Sequence, residues 1–248
     1  MSESDHPATA HRPVEAHGAP AAQVDGARPE LGPGPLSRVR RHADRGRYDR
    51  ATVHAVLDEG LVCHLGFVDN GQPCVLPTLY ARVGDVLYLH GAPANRALLA
   101  AGDGQTACVT VTLLDGLVLA RSTFNHSLNY RSVVAFGQAS TVETTEEKRQ
   151  ALEAIVEHVL PGRSKDARPP TDAELRATRV LRFAVSEASA KVRTGGPLDE
   201  PEDLQLRQVW AGELPLSLAT GTPVVDTQAP VEAPVPSYVA AYRRLAAG

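Results

Sequence analysis

The hydrophobic residues in the middle of the chain recur first at the spacing of a helix and then at the spacing of strands. Val53, Val56 and Leu57 fall on one face of a predicted helix over residues 50–59, and Asp49 is placed to cap its start. After this helix come short apolar or alternating runs that are typical of strands. The predicted strands cover residues 61–67, 72–82, 86–90, 106–113, 117–122, 130–142 and 180–185.

Turn signals separate these runs. They are Asp69-Asn70-Gly71, Gly84-Asp85 and Asp115-Gly116. In residues 106–113 the apolar side chains alternate strictly with Cys108, Thr110 and Thr112, which indicates a half-buried antiparallel strand. Many short strands joined by tight turns predict a closed or nearly closed antiparallel barrel.

Two further helices are predicted after the strand at 130–142. Thr144 and Glu147 form the capping-box pattern that opens the first helix, and Thr171 and Glu174 open the second. We therefore predict a mainly β fold with flanking helices.

The ends of the chain differ in composition from its middle. Residues 1–37 are rich in proline, alanine and glycine and have almost no large apolar side chains, so they bury too little surface to offset the entropy of ordering. Residues 219–248 are similar, apart from a short, weakly held helix expected over 238–245. We predict disordered tails at 1–37 and 219–248 around one domain at 38–218.

Composition and charge narrow the classes of partner. The 248 residues carry a formal net charge of −4, with acids and bases interleaved and no basic stripe, so we expect no nucleic-acid partner. No segment approaches the roughly 20 apolar residues of a membrane span, so we expect no membrane association. The three cysteines show no CxxC spacing and leave an odd thiol, which favours a reduced, cytoplasmic compartment.

Several common catalytic motifs are missing from the sequence. It has no GxGxxG or Walker-type loop, no GxSxG elbow, and no HExxH or paired Cys/His spacing, so we expect no metal site.

Residues 87–96 predict a strand that breaks at Gly91 and restarts as a helix near Pro93. Such a break suits a phosphate, because glycine lets the backbone approach closely and the first turn of a helix offers free amides. Asn95 and Arg96 would complete this anion site. The alternative is an ordinary strand-to-helix connection with a solvated arginine.

Other residues at strand ends are candidates for a site. Pro77 marks a strand edge or a bulge, because proline cannot donate to the ladder. Residues 124–127 are polar where a barrel strand should be apolar, which predicts a loop or the mouth of a strand. His126 in this segment faces either the substrate space or solvent. Residues 129–137 predict a polar edge that leads into a buried strand.

Residues 87–96 and 129–137, in this order and spacing, resemble the flavin-binding split-barrel family, the pyridoxamine 5'-phosphate oxidase-like proteins. The resemblance is to the nitroimidazole-reductase-type branch and covers roughly residues 38–212. It implies a split β-barrel of the antiparallel Greek-key type, bound FMN, and a homodimer with flavin sites at its interface.

The resemblance also implies roles for single residues. His90 would face the flavin ring and act in catalysis, with His126 as a second catalytic candidate toward a small-molecule substrate. Tyr130, Arg131 and Ser132 would help to complete the flavin site of the other subunit. The full set of cofactor-binding residues expected in this way is Pro77, Thr78, His90, Gly91, Ala92, Asn95, Arg96, Tyr130, Arg131, Ser132 and Lys191.

The end of the chain departs from true pyridoxamine phosphate oxidases. Those proteins finish with an arginine- and histidine-rich strand that grips pyridoxal phosphate, and here residues 209–215 take its place, which argues against vitamin B6 oxidation. The resemblance instead implies an FMN-dependent oxidoreductase that reduces a nitro- or quinone-like acceptor through the flavin.

Two alternatives stay open. One is a haem-binding or haem-degrading protein with His90 or His126 as the axial ligand. The other is a non-catalytic flavin carrier or sensor, and the deazaflavin F420 is an alternative to FMN.

Overall fold

The structure of the chain is a computed structural model that describes residues 30–228 and 234–243. The strands are β1 (Gly46–Arg47), β2 (Val62–Asp69), β3 (Gln72–Val83), β4 (Val86–Gly91), β5 (Asp103–Leu119), β6 (Ser127–Thr141), β7 (Arg179–Arg193) and β8 (Gly212–Pro215). The α-helices are α1 (Arg50–Glu59), α2 (Arg96–Ala101), α3 (Thr145–Val159), α4 (Arg163–Asp166), α5 (Asp172–Arg176) and α6 (Ser237–Ala240). Single 3-10 turns lie at Ala43–Arg45, Thr123–Asn125 and Asp203–Gln205.

The strands form one 8-stranded antiparallel sheet that closes on itself. Neighbouring strands follow the order β7, β4, β3, β2, β5, β6, and β6 pairs in turn with β7. β1 is added to the far end of β7, and β8 is added to the far end of β5. The predicted antiparallel barrel is confirmed.

The interior of the barrel is filled by aliphatic side chains. Alternate residues of each strand point inward, and Leu65, Leu89 and Val109 are fully buried there. Val56 and Leu57 of α1 belong to the same core, so this helix packs against the barrel through its apolar face. The helical spacing of Val53, Val56 and Leu57 in the sequence therefore identifies the face of α1 that packs against the barrel.

The helices begin at the residues that the sequence predicts. Asp49 and Thr144 each accept a hydrogen bond from a backbone N–H three residues further on, and Thr171 forms a complete capping box. The first predicted box is half formed, because the carboxylate of Glu147 accepts a hydrogen bond from the Tyr88 hydroxyl at 2.9 Å instead. None of the helices in the described ranges is both long enough and apolar enough to cross a membrane.

Two strands are longer than predicted. β5 continues through the expected turn at Asp115-Gly116, which is a bulge, because β6 pairs with β5 on both sides of it. β7 continues beyond the predicted strand at 180–185 as far as Arg193, because β6 pairs along its whole length.

The N-terminal boundary of the folded part also differs from the prediction at residue 38. Leu31 is 5% exposed, its N–H donates to the carbonyl of Tyr48, and its carbonyl accepts from the N–H of Ala188. Residues 30–37 thus pack on the barrel, and residues 1–29 of the predicted tail lie outside the described residues.

Residues 219–228 at the C-terminal side are exposed. The short helix expected over 238–245 overlaps α6 (Ser237–Ala240), and residues 229–233 and 244–248 lie outside the described residues.

Candidate functional site

The predicted strand, turn and helix over residues 87–96 are present. β4 ends at Gly91, the N–H of Asn95 donates to the carbonyl of Ala92 at 2.9 Å, and α2 begins at Arg96. One connection therefore brings together His90, Gly91, Ala92, Asn95 and Arg96, as the sequence predicts.

The glycine and the helix amides serve the fold in this connection. Asn95 Oδ1 accepts hydrogen bonds from the N–H groups of Ala97 at 3.0 Å and Leu98 at 3.3 Å. A Cβ atom at Gly91 would lie 2.8 Å from the Leu98 side chain, so glycine makes room for α2. The expected free amides at the start of α2 are therefore occupied by the Asn95 side chain. The arginines beside the turn remain as groups that could bind an anion.

Two arginines border the turn between β4 and α2. Arg96 Nη2 lies 2.7 Å from Asp69 Oδ2, and its side chain is 83% exposed. Arg179 Nε donates to the carbonyl of Pro93 at 3.1 Å. The sequence did not single out Arg179, whose position follows from its pairing with Gly91 across β7 and β4.

His90 lies one residue before the end of β4, beside this turn. It pairs with Val180 of β7, and its Nδ1 is buried without a hydrogen-bond partner in the described residues. Burial lowers the pKa of His90 below its ordinary value, so the imidazole is neutral at pH 7. A buried nitrogen without a partner among the described residues is a group that a bound molecule can complete.

Pro77 lies in the half of β3 that pairs with β2 and not with β4, which is the edge position that the sequence predicts. Its partner in β2 is His64, an exposed histidine that the sequence reasoning missed. The alternation V-C-H-L along β2 contains the signal for it, because His64 takes the position opposite to the buried Cys63 and Leu65. Thr78 points to the other face of the strand.

Three of the residues expected beside the flavin share one face of β6 and β7. Ser132 pairs with Lys191, and Tyr130 pairs with Arg193 two positions along. The structure therefore brings Tyr130, Ser132 and Lys191 together.

Arg131 is separated from that group, because alternate residues of a strand point to opposite faces. Its Nη2 donates to Glu59 at 2.8 Å and to Asp115 at 2.7 Å. These hydrogen bonds, first the one to Glu59, raise the pKa of Arg131. In contrast to the expected flavin contact, Arg131 joins α1 to β5 and β6.

His126 lies at the mouth of β6, directly after the 3-10 turn at Thr123–Asn125, as the polar segment predicts. Its Nδ1 is 2.8 Å from the carbonyl oxygen of Ser122. A carbonyl only accepts hydrogen bonds, so Nδ1 carries a proton, and Nε2 is the nitrogen that bears the lone pair in the neutral ring.

The loop before His126 contains polar atoms without partners. Arg121 Nε, Ser122 Oγ and Asn125 Nδ2 are buried and make no hydrogen bond within the part of the chain that the structure describes. Phe124 in the same loop is 90% exposed. A loop with unsatisfied polar groups and an exposed aromatic ring is suited to a further contact.

The two predicted catalytic histidines do not share a site within one chain. His90 lies beside the start of β7, whereas His126 lies beyond Tyr130, which pairs with the end of β7. The intervening strand is roughly 40 Å long at about 3.3 Å per residue. Over the described ranges, no three His, Cys, Asp or Glu side chains are grouped to hold a metal ion.

The family model described as pyridoxamine 5'-phosphate oxidase matches residues 49–192, more than half of the chain. The chain belongs to this family. The split-barrel fold implied by the sequence resemblance is thereby confirmed. No curated protein matches the sequence.

Two solved structures resemble nearly the whole described chain. The flavocytochrome Anf3 from Azotobacter vinelandii is 39% identical with a TM-score of 0.80, over 87% of this chain and 99% of its own. The FAD and haem binding protein from Mycobacterium smegmatis is 34% identical with a TM-score of 0.75, over 79% of this chain and 95% of its own.

A third similar structure is shorter. A 5-nitroimidazole antibiotic resistance protein from Bacteroides thetaiotaomicron is 26% identical with a TM-score of 0.51, over 59% of this chain and 86% of its own.

Proposed function

We propose that this chain is a redox protein that binds a flavin and a haem. The observation that carries the proposal is the similarity, over 87% and 79% of this chain, to a flavocytochrome and to an FAD and haem binding protein. The sequence predicted a flavin-dependent oxidoreductase, with a haem-binding protein as an alternative. The proposal combines these two functions in one protein.

The turn between β4 and α2 fits the flavin. Arg96 and Arg179 offer two guanidinium groups to a phosphate, and guanidinium is the side chain best suited to bind phosphate oxygens. His90 Nδ1 is a buried group that still lacks a partner among the described residues. Neutral at pH 7, this imidazole can hydrogen-bond a flavin without adding a charge.

The mouth of β6 fits the haem. The carbonyl of Ser122 fixes the ring of His126 so that Nε2 is the free nitrogen, as in histidines that ligate metals. Exposed Leu128 and Leu214 flank Leu117 on the neighbouring strands and offer an apolar surface close to this histidine. By comparison, His90 is more buried and lies in the strand that leads into the turn between β4 and α2.

A flavin supplies hydride transfer and a haem iron supplies one-electron transfer, while the protein holds the groups and sets their surroundings. The electron acceptor of the flavin is proposed to be a small nitro- or quinone-like molecule. The similarity to the 5-nitroimidazole resistance protein supports this class of acceptor.

We further propose that the protein is a homodimer, which is supported by an open outer face of the barrel. On this face Val62, Val75 and Leu79 are 44%, 68% and 39% exposed. Val62 and Leu79 pair across β2 and β3, and Val75 lies on the same face four residues along β3. Exposed apolar patches of this kind mark interfaces.

The absorbance spectrum of the purified full-length protein tests the proposal. We expect flavin bands together with a Soret band, and we expect His126→Ala to lose the Soret band while keeping its flavin. His64→Ala and His90→Ala are matched histidine controls that should keep the Soret band. A wild-type protein with flavin bands alone, after expression with haem precursor, would contradict the haem half of the proposal.

A further inference from the structure

The loop between β5 and β6, residues 120–126, is held in place by hydrogen bonds. The N–H of Arg121 donates to Asp199 Oδ1 at 2.9 Å, and Arg121 Nη1 donates to Asp199 Oδ2 at 2.7 Å. The carbonyl of Ser122 accepts hydrogen bonds from the N–H of Asn125 at 3.4 Å and from His126 Nδ1 at 2.8 Å. The side chains of this loop therefore project from a backbone of fixed shape.

Three side-chain groups of this loop are buried without a hydrogen-bond partner among the described residues. They are Arg121 Nε, Ser122 Oγ and Asn125 Nδ2. Both oxygens of Asp199 accept from other nitrogen atoms of Arg121, so this acid does not complete the Nε group. A buried polar group without a partner costs free energy, so a molecule that supplies the missing partners gains affinity from them.

The three groups share one hydrogen-bonding character. An arginine Nε and an amide nitrogen only donate hydrogen bonds, and a hydroxyl can donate as well. The missing partner is therefore an acceptor. Because the guanidinium is positively charged, a negatively charged acceptor is favoured, and a carboxylate has two oxygens that can serve several donors.

Large apolar side chains are exposed at the same end of the barrel. Phe124, in this loop, is 90% exposed. Trp210 is 66% exposed, and its indole lies against Gly212, where a Cβ atom would be 2.9 Å from the ring. Gly212 pairs with Leu119 at the end of β5, directly before the loop. Donors for a carboxylate beside exposed aromatic rings suit a ligand with a flat apolar body and an acidic edge.

We propose that Arg121, Ser122 and Asn125 form a carboxylate site that binds the propionate groups of the haem. An iron porphyrin has a flat apolar body with two carboxylates on one edge, and His126 of the same loop is the proposed axial ligand. The identity of the ligand as haem rests on the proposed function, whereas the need for an acceptor at the three donors does not. The site makes the protein select porphyrins whose carboxylates are free.

The test compares iron protoporphyrin IX with its dimethyl ester, in which both carboxylates are blocked. Each is titrated, with the Soret band as the readout, into the full-length chain produced without added haem precursor. We expect the wild type to bind the free acid at least about 10-fold more tightly than the ester. In the Ser122→Ala/Asn125→Ala double variant the free acid should bind roughly 10- to 100-fold more weakly, while the ester changes by less than about twofold.

Arg121 is kept in this variant, because its hydrogen bonds to Asp199 hold the loop. The matched control is Thr123→Ala, which changes an exposed side chain of the same loop and should alter neither dissociation constant. Without a porphyrin, the double variant should unfold at the temperature of the wild type or above it, since alanine removes donors that lack partners. Groups with only a structural role would give the opposite shift.

The outcomes separate this inference from the proposed function. Equal binding of the free acid and the ester by the wild type overturns the carboxylate site and leaves the haem proposal standing. A lower unfolding temperature of the ligand-free double variant also overturns the site, because the donors would then be satisfied within the protein. If His126→Ala keeps its Soret band, the proposed axial ligand is wrong, and the comparison of the two porphyrins still decides the site. A wild type that takes up neither porphyrin overturns both.

Discussion

Arg131 shows how one side chain can hold three elements at fixed positions. Its guanidinium binds Glu59 at the end of α1 and Asp115 at the bulge of β5, and all three side chains are largely shielded from water. Loss of the guanidinium leaves two carboxylates close together without a countercharge. We expect Arg131→Met to lower the free energy of unfolding by about 2–4 kcal/mol, as measured by urea denaturation.

Arg149→Met is the matched control for that variant. Arg149 and Asp172 form an ion pair in which the side chains are 41% and 71% exposed. Exposed pairs contribute about 0–1 kcal/mol, so this variant should unfold almost like the wild type. Equal effects of the two substitutions would show that the contacts of Arg131 are not structural.

Arg96 is expected to act on the phosphate of the flavin. Its side chain is mostly exposed and already forms an ion pair with Asp69. Its contribution to the binding free energy of the flavin should therefore be at the low end for a charged contact. We expect Arg96→Ala to weaken FMN binding about 10-fold and riboflavin binding by less than about twofold. Fluorescence titration of both flavins measures the difference.

Lys191→Ala is the comparison for Arg96→Ala, because Lys191 lies near the opposite end of β7 from the turn at Arg96. It should weaken FMN and riboflavin binding equally, because Lys191 lies with Tyr130 and Ser132 and not beside the arginines of the turn. If Lys191→Ala, and not Arg96→Ala, removes the difference between FMN and riboflavin, the flavin phosphate lies beside Lys191.

The sequence predicted which residues lie in the turn between β4 and α2, but not how their atoms are used. Gly91 and Asn95 are typical of a phosphate loop, yet the same residues are needed to seat Leu98 and to cap α2. Spacing cannot distinguish these uses, because both require glycine and a short polar side chain. Arg179 was missed since only the pairing of β7 with β4 brings it to the turn.

At the scale of elements, Gly137 marks a place where the pairing of β6 with β7 leaves no room for a side chain. A Cβ atom there would lie 1.9 Å from the carbonyl oxygen of Ala184, at the irregularity in the pairing of the two strands. Backbone cannot give way as a flexible side chain can. We expect Gly137→Ala to lower the free energy of unfolding by about 3 kcal/mol or more, as measured by urea denaturation.

Gly66→Ala is the control on the barrel itself. The nearest atoms to a Cβ atom at Gly66 lie 3.6 and 3.8 Å away, which is ordinary contact. Its unfolding should therefore change little, and strong destabilisation of Gly66→Ala but not of Gly137→Ala would contradict the pairing of β6 with β7.

Local signals predicted the starts of the helices correctly, and long-range pairing explains the elements that were missed. The N-caps at Asp49, Thr144 and Thr171 depend on residues three positions apart, so the sequence contains the whole interaction. Asp115-Gly116 has the composition of a turn, but the pairing with β6 turns it into a bulge. β8 pairs with a strand almost a hundred residues earlier, which no local pattern indicates.

At the scale of the whole molecule, the barrel includes part of the segment that the sequence assigned to a tail. Leu31 is buried in the same core as the barrel strands. Removing most of its side chain leaves a cavity, so we expect Leu31→Ala to lower the free energy of unfolding by about 2–4 kcal/mol. Thermal or urea unfolding measures this loss.

Leu36→Ala is the matched control, because Leu36 is 59% exposed in the same loop. Its unfolding should stay within about 0.5 kcal/mol of the wild type. If Leu31→Ala also leaves the free energy of unfolding unchanged, residues 30–37 do not contribute to the core. The folded domain would then begin at residue 38, as the sequence predicted.

The open face of β2 and β3 leads to the prediction of subunit association. Stable interfaces bury about 800 Å² on each partner, and a flat apolar sheet face can supply such an area. We expect light scattering at micromolar concentration to give twice the chain mass for the wild type. Leu79→Asp places a charge on the apolar face, next to Val62, and should shift the protein toward the monomer.

Val224→Asp is the matched control for association, since Val224 is 95% exposed far along the C-terminal segment and should leave the mass at twice that of the chain. The flavin content of the monomer formed by Leu79→Asp then shows whether the second subunit helps to hold the flavin. Loss of flavin with an intact fold is expected, because Tyr130, Ser132 and Lys191 lie on a different strand pair from the turn proposed to bind the phosphate. A wild-type protein that is monomeric with flavin bound would contradict both the dimer and this division of the site.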